Sequence, residues 1–199
     1  MKNTIDLLAR YTSYIFVPPS FTFLIFSYLG FLSEPSYESK ILVVIHSFVF
    51  GLILPIIFFV HLRKKGIVND VDATIKEERI QPYMFGVFLC LTGALSSYLL
   101  NFDSIIYYLW LIYFFNTLIL ILINKYWKIS AHAIGASTPM GVLIYLYGVF
   151  GVVYIPVVIL IGWSRIYLKK HTKAQVFVGS IFGFLLTLAQ LYFFTYIIG

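Results

Sequence analysis

Residues 41–62 read ILVVIHSFVFGLILPIIFFVHL, without one Asp, Glu, Lys or Arg. A helix needs roughly 20 mainly apolar residues to cross the hydrocarbon core of a bilayer, and this run supplies them. Similar runs occur at 11–32, 83–100, 104–123, 132–150, 152–168 and 176–198. Backbone polar groups in lipid must be satisfied within the chain, so each run predicts a helix. The expected fold is all-α: a polytopic transmembrane bundle of about six or seven spans, forming a single integral-membrane domain over residues 1–199. The open division lies in YLYGVFGVVYIPVV (145–158), where two short spans must turn around at Gly148–Gly151 or else one long kinked segment runs through.

Composition carries the same message over the whole chain. Of 199 residues, 61% are hydrophobic and 11% charged, with mean hydropathy +0.93, whereas soluble domains carry roughly 25% charged residues. The net charge of +6 is held in short clusters between apolar runs. That distribution fits membrane topology and anionic headgroups as partners, and not nucleic acid. With seven spans, 13 of the 14 basic residues fall on one side and only Lys40 on the other. The positive-inside rule makes the basic side cytoplasmic and the protein a multi-pass component of the cytoplasmic membrane. Cys90 is the one cysteine, inside an apolar run, so neither a disulfide nor a thiolate metal site is expected. His46, mid-span, is read as a neutral histidine bonded to a neighbouring helix, and Trp110, Trp127 and Trp163 as belt or packing residues.

Polar residues collect in three stretches on that basic side, each just before an outgoing helix: DATIKEERIQPY (72–83), KYWKISAHAIGA (125–136) and WSRIYLKKHTKAQ (163–175). A helix N-terminus presents free N–H groups and about half a positive charge, so three of them beside Lys76, Arg79 and Arg165 suit a phosphate at headgroup level.

These stretches resemble the three motifs of the type-2 phosphatidic acid phosphatase superfamily of membrane lipid phosphatases. The third family motif is Ser-Arg, five residues, His, three residues, Asp. Here it reads Ser164-Arg165, five residues, His171, three residues and then Gln175. The second, Pro-Ser-Gly-His, reads Ile129-Ser130-Ala131-His132, and the first, Lys with six residues before Arg-Pro, keeps Pro82 with Gln81 and Thr74 in place of the cations. The resemblance covers roughly residues 72–183. It implies a metal-independent acid phosphatase, without cofactor, that hydrolyses a phosphomonoester or diphosphate of a phospholipid or isoprenoid lipid. His171 would form a phosphohistidine and His132 would serve as acid and base. Arg165, Arg79, Lys76 and Ser130 would hold the phosphoryl oxygens, and Gln175 would orient His171 without the charge of the family's Asp.

Two structural readings stand beside this. Thr172 and Gln175 have the spacing of a capping box, and Ser130 that of an N-cap. Two other functions also fit parts of the chain. The losses at Thr74, Gln81 and Gln175 fit a decayed, lipid-binding phosphatase-like protein. Asp70 and Asp72 resemble part of the first motif of the magnesium-dependent membrane prenyltransferases, although Lys76 stands where the next acid belongs and no second acidic motif follows.

Overall fold

The computed structural model describes residues 2–198. It is 85% helical with no strands among the described residues. The helices are α1 (Lys2–Ile15), α2 (Pro18–Ser33), α3 (Tyr37–Ser47), α4 (Leu54–Lys64), α5 (Ile80–Leu99), α6 (Ser104–Tyr126), α7 (Ala131–Tyr147), α8 (Ile155–Tyr167) and α9 (Lys173–Phe193). Among the described residues, five helical stretches are long and apolar enough, by length and composition alone, to cross a membrane, or six if the bent α1–α2 pair is one span. The all-α membrane bundle expected from hydropathy is therefore the observed architecture.

The chain divides into two compact units. The first comprises the chain up to Phe21 together with everything from Lys128 onward. The second is Thr22–Trp127, so the boundary falls inside α2.

In the first unit, the expected span 11–32 is corrected at its start. The helix breaks before Pro18, and α1 meets α2 at 59°. Proline has no N–H and clashes with the preceding turn, so the paired Pro18-Pro19 can open a helix but cannot continue one. Residues 11–15 therefore belong to α1. This helix buries its small side, Ala9, Thr12 and Ser13, and exposes Leu7, Leu8, Tyr11, Tyr14 and Ile15. Such a helix has its greasy side outward, as suits a surface facing lipid and not water.

The stretch Ala131–Tyr167 is 37 residues long, yet it folds back on itself. Gly148 has φ +57° and ψ −134°, a conformation open to glycine. At Gly151 a Cβ would lie 2.6 Å from the main-chain nitrogen of Ile144, so the returning chain lies directly on the end of α7. Beyond the turn, Ile161 of α8 packs with Ala136 of α7 and with Phe21. Of the two sequence readings at 145–158, the turnaround is the one realised. α7 has 17 residues and α8 has 13. At 1.5 Å per residue they reach only about 25 and 20 Å, short of a ~30 Å core. α9 completes the unit against α7 at backbone range: a Cβ at Gly183 would lie 2.6 Å from Ile134 O and 2.4 Å from Ser137 Oγ. Small residues let helices approach this closely in lipid, where apolar burial alone gives no drive to associate.

In the second unit, α3 and α4 form one stretch, Tyr37–Lys64, through a π-helical segment at Phe48–Ile53. Pro55, just inside α4, has no N–H for the ordinary ladder, and the wider turn absorbs that loss. Ser36 opens α3 with a full capping box. α5 and α6 pack where Gly93 faces Trp110; a Cβ there would sit 2.7 Å from the indole. Trp110 also lies 4.2 Å from the Phe26 ring, so it is a packing residue. His46 Nε2 is 2.7 Å from Ser96 Oγ on α5, which agrees with a histidine bonded to a neighbouring helix. Cys90 is buried and free.

Candidate functional site

The end of the first unit where α7 and α9 begin and α8 finishes gathers five of the residues singled out from sequence. Ser130 is the N-cap of α7, its Oγ accepting from Ala133 N at 3.3 Å. Its own N–H donates to Gln175 O at 3.3 Å, which ties the mouth of α7 to the first turn of α9. Thr172 and Gln175 form the complete capping box of α9. Lys128 Nζ donates to Lys170 O at 2.9 Å and pins the approach to α7 onto the turn after α8.

His171 belongs to that turn and is 7% exposed. Its N–H and that of Lys170 both reach back to Arg165 O, at 3.3 and 3.0 Å. Lys169 takes φ +55° to make the reversal. The imidazole Nδ1 lies 3.1 Å from Gln175 Oε1. An amide oxygen can only accept, so Nδ1 carries the hydrogen. The same Oε1 accepts from Thr172 N at 3.1 Å. Gln175 thus caps the helix and orients the histidine at once; the two sequence readings of this residue are compatible.

Arg165, in the last turn of α8, is fully buried. Its Nη1 is hydrogen-bonded to Ser13 Oγ of α1. His132, in the first turn of α7, has Nε2 at 3.3 Å from Ser13 O. A carbonyl likewise only accepts, so His132 Nε2 carries a hydrogen there. Next to Arg165, Ser164 Oγ donates to Ala9 O at 2.9 Å. Ser13 therefore holds a guanidinium with its side chain and an imidazole with its backbone. Sequence reading missed this residue. No local motif marks it; the one available signal was a polar residue four positions after Ala9, one helical turn on.

Lys76 and Arg79 lie in the second unit, where the structure gives each a structural task. Arg79 is buried, and its Nε donates to Ala73 O at 2.7 Å, securing a residue held at φ +43°. Lys76 Nζ donates to Lys125 O at 2.8 Å, near the carbonyl end of α6, where a cation is favoured. Asn124 Nδ2 donates to Lys76 O at 2.8 Å, so Lys76 is fastened at both ends. Loop acids order the same segment. Asp70 accepts from Asp72 N at 2.7 Å and from Thr74 N at 3.4 Å. Glu78 accepts from Asn69 N at 3.1 Å and from the Asn69 side chain. Among the described residues no three His, Cys, Asp or Glu side chains are grouped to hold a metal ion. Asp70 serves the turn through both of its oxygens.

Comparison with family models, curated proteins and solved structures finds no match to this chain.

Proposed function

We propose that this protein is a lipid phosphatase of the cytoplasmic membrane that hydrolyses a phosphomonoester or diphosphate through a phosphohistidine on His171. The observation that supports this most is the gathering of His171, Gln175, Ser130, His132 and Arg165, from two of the three polar stretches, at one end of one unit. The resemblance to the type-2 phosphatidic acid phosphatases assigns these same residues their parts, and the tautomers fixed by the hydrogen bonds are usable ones.

His171 Nε2 attacks phosphorus with its lone pair while the bond from phosphorus to the lipid oxygen breaks. The leaving oxygen takes its electron pair and a proton from His132, protonated for this step. Water then gives a proton back to His132 and attacks the phosphoryl group; the P–N bond breaks and phosphate departs. Splitting one displacement into two in this way is the advantage of covalent catalysis. Imidazole titrates near neutral pH and suits both directions of transfer. Arg165 supplies a planar fork of donors to the phosphoryl oxygens. Lys76 and Arg79 are not needed for this arrangement, which uses first-unit residues alone.

One observation favours a second reading, binding without turnover. Gln175 gives His171 Nδ1 an amide acceptor without the negative charge that would stabilise an imidazolium, and Arg165 is fully buried against Ser13. Phosphate release by the purified protein from phosphatidic acid, phosphatidylglycerol phosphate and isoprenoid diphosphates, with and without chelator, tests the proposal. Turnover that survives chelator and disappears in His171→Ala at unchanged thermal stability is expected. Turnover undiminished in His171→Ala overturns the phosphohistidine route. Saturable binding of these lipids without any release establishes the second reading.

A further inference from the structure

Outside the phosphatase-like site, the second unit has a cleft of about 290 Å³ beside the start of α5 and the end of α6. Its apolar wall is Ile80, Ile121 and Leu122; Ile80 and Leu122 are exposed. Its polar lining is Lys76, Glu77, Asn124 and Lys125. Two cations stand against one carboxylate, so the cleft favours an anion. Lys76 Nζ spends one donor on Lys125 O and lies 3.8 Å from Glu77. An ammonium has three donors, and Lys125 extends its own over the Tyr126 ring at 5.4 Å.

Asn124 is the buried polar residue of the cleft. It is 2% exposed, and its Nδ2 faces the Lys76 carbonyl. Only the amide nitrogen can donate to a carbonyl, which fixes the orientation of the amide. Oδ1 is then a buried acceptor with no hydrogen bond among the described residues. A buried acceptor without a donor is costly, so a group that donates to it is favoured there. An apolar wall, two ammonium groups and one buried acceptor describe an amphiphile with a negative charge and a hydrogen-bond donor in its head.

We propose that this cleft binds one anionic phospholipid whose headgroup carries a hydroxyl. The phosphate lies between Lys76 and Lys125, the hydroxyl donates to Asn124 Oδ1, and the first methylenes of an acyl chain lie on Ile80, Ile121 and Leu122. No imidazole takes part, so this site stands or falls independently of the phosphatase reading. A choline headgroup offers neither net charge nor hydroxyl; a phosphatidylmethanol headgroup offers the charge alone.

Lipid binding to the full-length protein in neutral detergent, followed by native mass spectrometry with phosphatidylglycerol, phosphatidylmethanol and phosphatidylcholine of matched chains, tests this. All three are phosphodiesters, so phosphomonoester turnover does not disturb the measurement. Phosphatidylglycerol is expected to bind tightest and phosphatidylcholine weakest. Lys125→Gln should weaken phosphatidylglycerol about five-fold, as the loss of one interfacial cation implies, and leave phosphatidylcholine unchanged. Leu122→Trp, at an exposed position, should block the cleft for all three without disturbing the fold. Equal binding of phosphatidylglycerol and phosphatidylmethanol overturns the role of Asn124. Equal binding of phosphatidylglycerol and phosphatidylcholine, or a preference untouched by both variants, overturns the site.

Discussion

Under the proposed phosphatase reading, Gln175 stands in the place of a carboxylate, and its amide oxygen keeps the acceptor that a carboxylate would offer His171. It accepts from His171 Nδ1 and from Thr172 N through one oxygen. What it lacks is the charge that would stabilise an imidazolium if His171 is the nucleophile of the proposed reaction. Gln175→Asp keeps the acceptor, keeps the cap position and adds a negative charge at a helix N-terminus, where it is favoured. If the phosphatase reading holds, this substitution should raise kcat by about ten-fold or more, since proton-transfer and charge-stabilising groups are worth 10²–10⁴ in catalysis. Gln175→Leu should abolish turnover and also lower stability by about 1 kcal/mol through the lost cap. Phosphate-release kinetics and thermal melts on the two variants separate the roles. An Asp variant no faster than the parent argues against His171 as nucleophile. The residue scale also shows where sequence reading stopped. Thr172, Gln175 and Ser130 were legible because a cap is written in four consecutive residues. Ser13 was not, because its partners are 119 and 152 positions away.

Among the elements, the α7–α9 contact sets the site's geometry. α7 buries Ala133 through Pro139 without interruption, nearly all of them small. Ser137 and Thr138 turn their hydroxyls back onto carbonyls of their own helix, at 2.7 and 3.1 Å, which leaves a smooth surface. Gly179 meets Ser130 O, where a Cβ would be 3.0 Å away, and Gly183 meets Ile134 O. Gly183→Ala therefore forces α9 off α7 and should cost about 1–3 kcal/mol, the range for overpacking a tight contact. Gly183→Leu should yield little monodisperse protein in size-exclusion chromatography. A Gly183→Leu protein that melts like the parent contradicts the backbone contact. α1 is the opposite kind of element. Its Ser13 turns inward to Arg165 and His132 while Leu7, Leu8, Tyr11, Tyr14 and Ile15 face out, so its membrane side is decided by what it covers. From sequence it merges with the apolar run that follows, and only the break before Pro18 separates them.

At the scale of the whole molecule, the basic residues predict sidedness independently of any enzymatic reading. Lys65, after α4, is exposed, and Lys40, in the first turn of α3, is half-buried at the other end of the same helical stretch. Single cysteines at Lys65 and Lys40, in a Cys90→Ala background, should label from opposite faces in intact cells: Lys40→Cys from outside, and Lys65→Cys only after permeabilisation. Labelling of both from one side contradicts a membrane crossing between them. The turn at Gly148–Gly151 leaves this inference intact, because a hairpin returns the chain to its starting side whether or not it crosses the core.

Hydropathy alone determined that this chain is a helical membrane protein and roughly where its helices lie. Lipid offers the backbone no hydrogen-bond partner, so apolar length dictates helix without reference to any other segment. The caps at Ser130 and Thr172 were equally local. Which polar side chains meet was settled only by tertiary structure. The seat of Arg165 on Ser13, the carbonyl under His132, and the bond of Lys76 to the end of α6 all depend on segments remote in sequence coming within hydrogen-bond reach. Buried polar groups must take whatever partner the packing brings, and no stretch of sequence states that partner in advance.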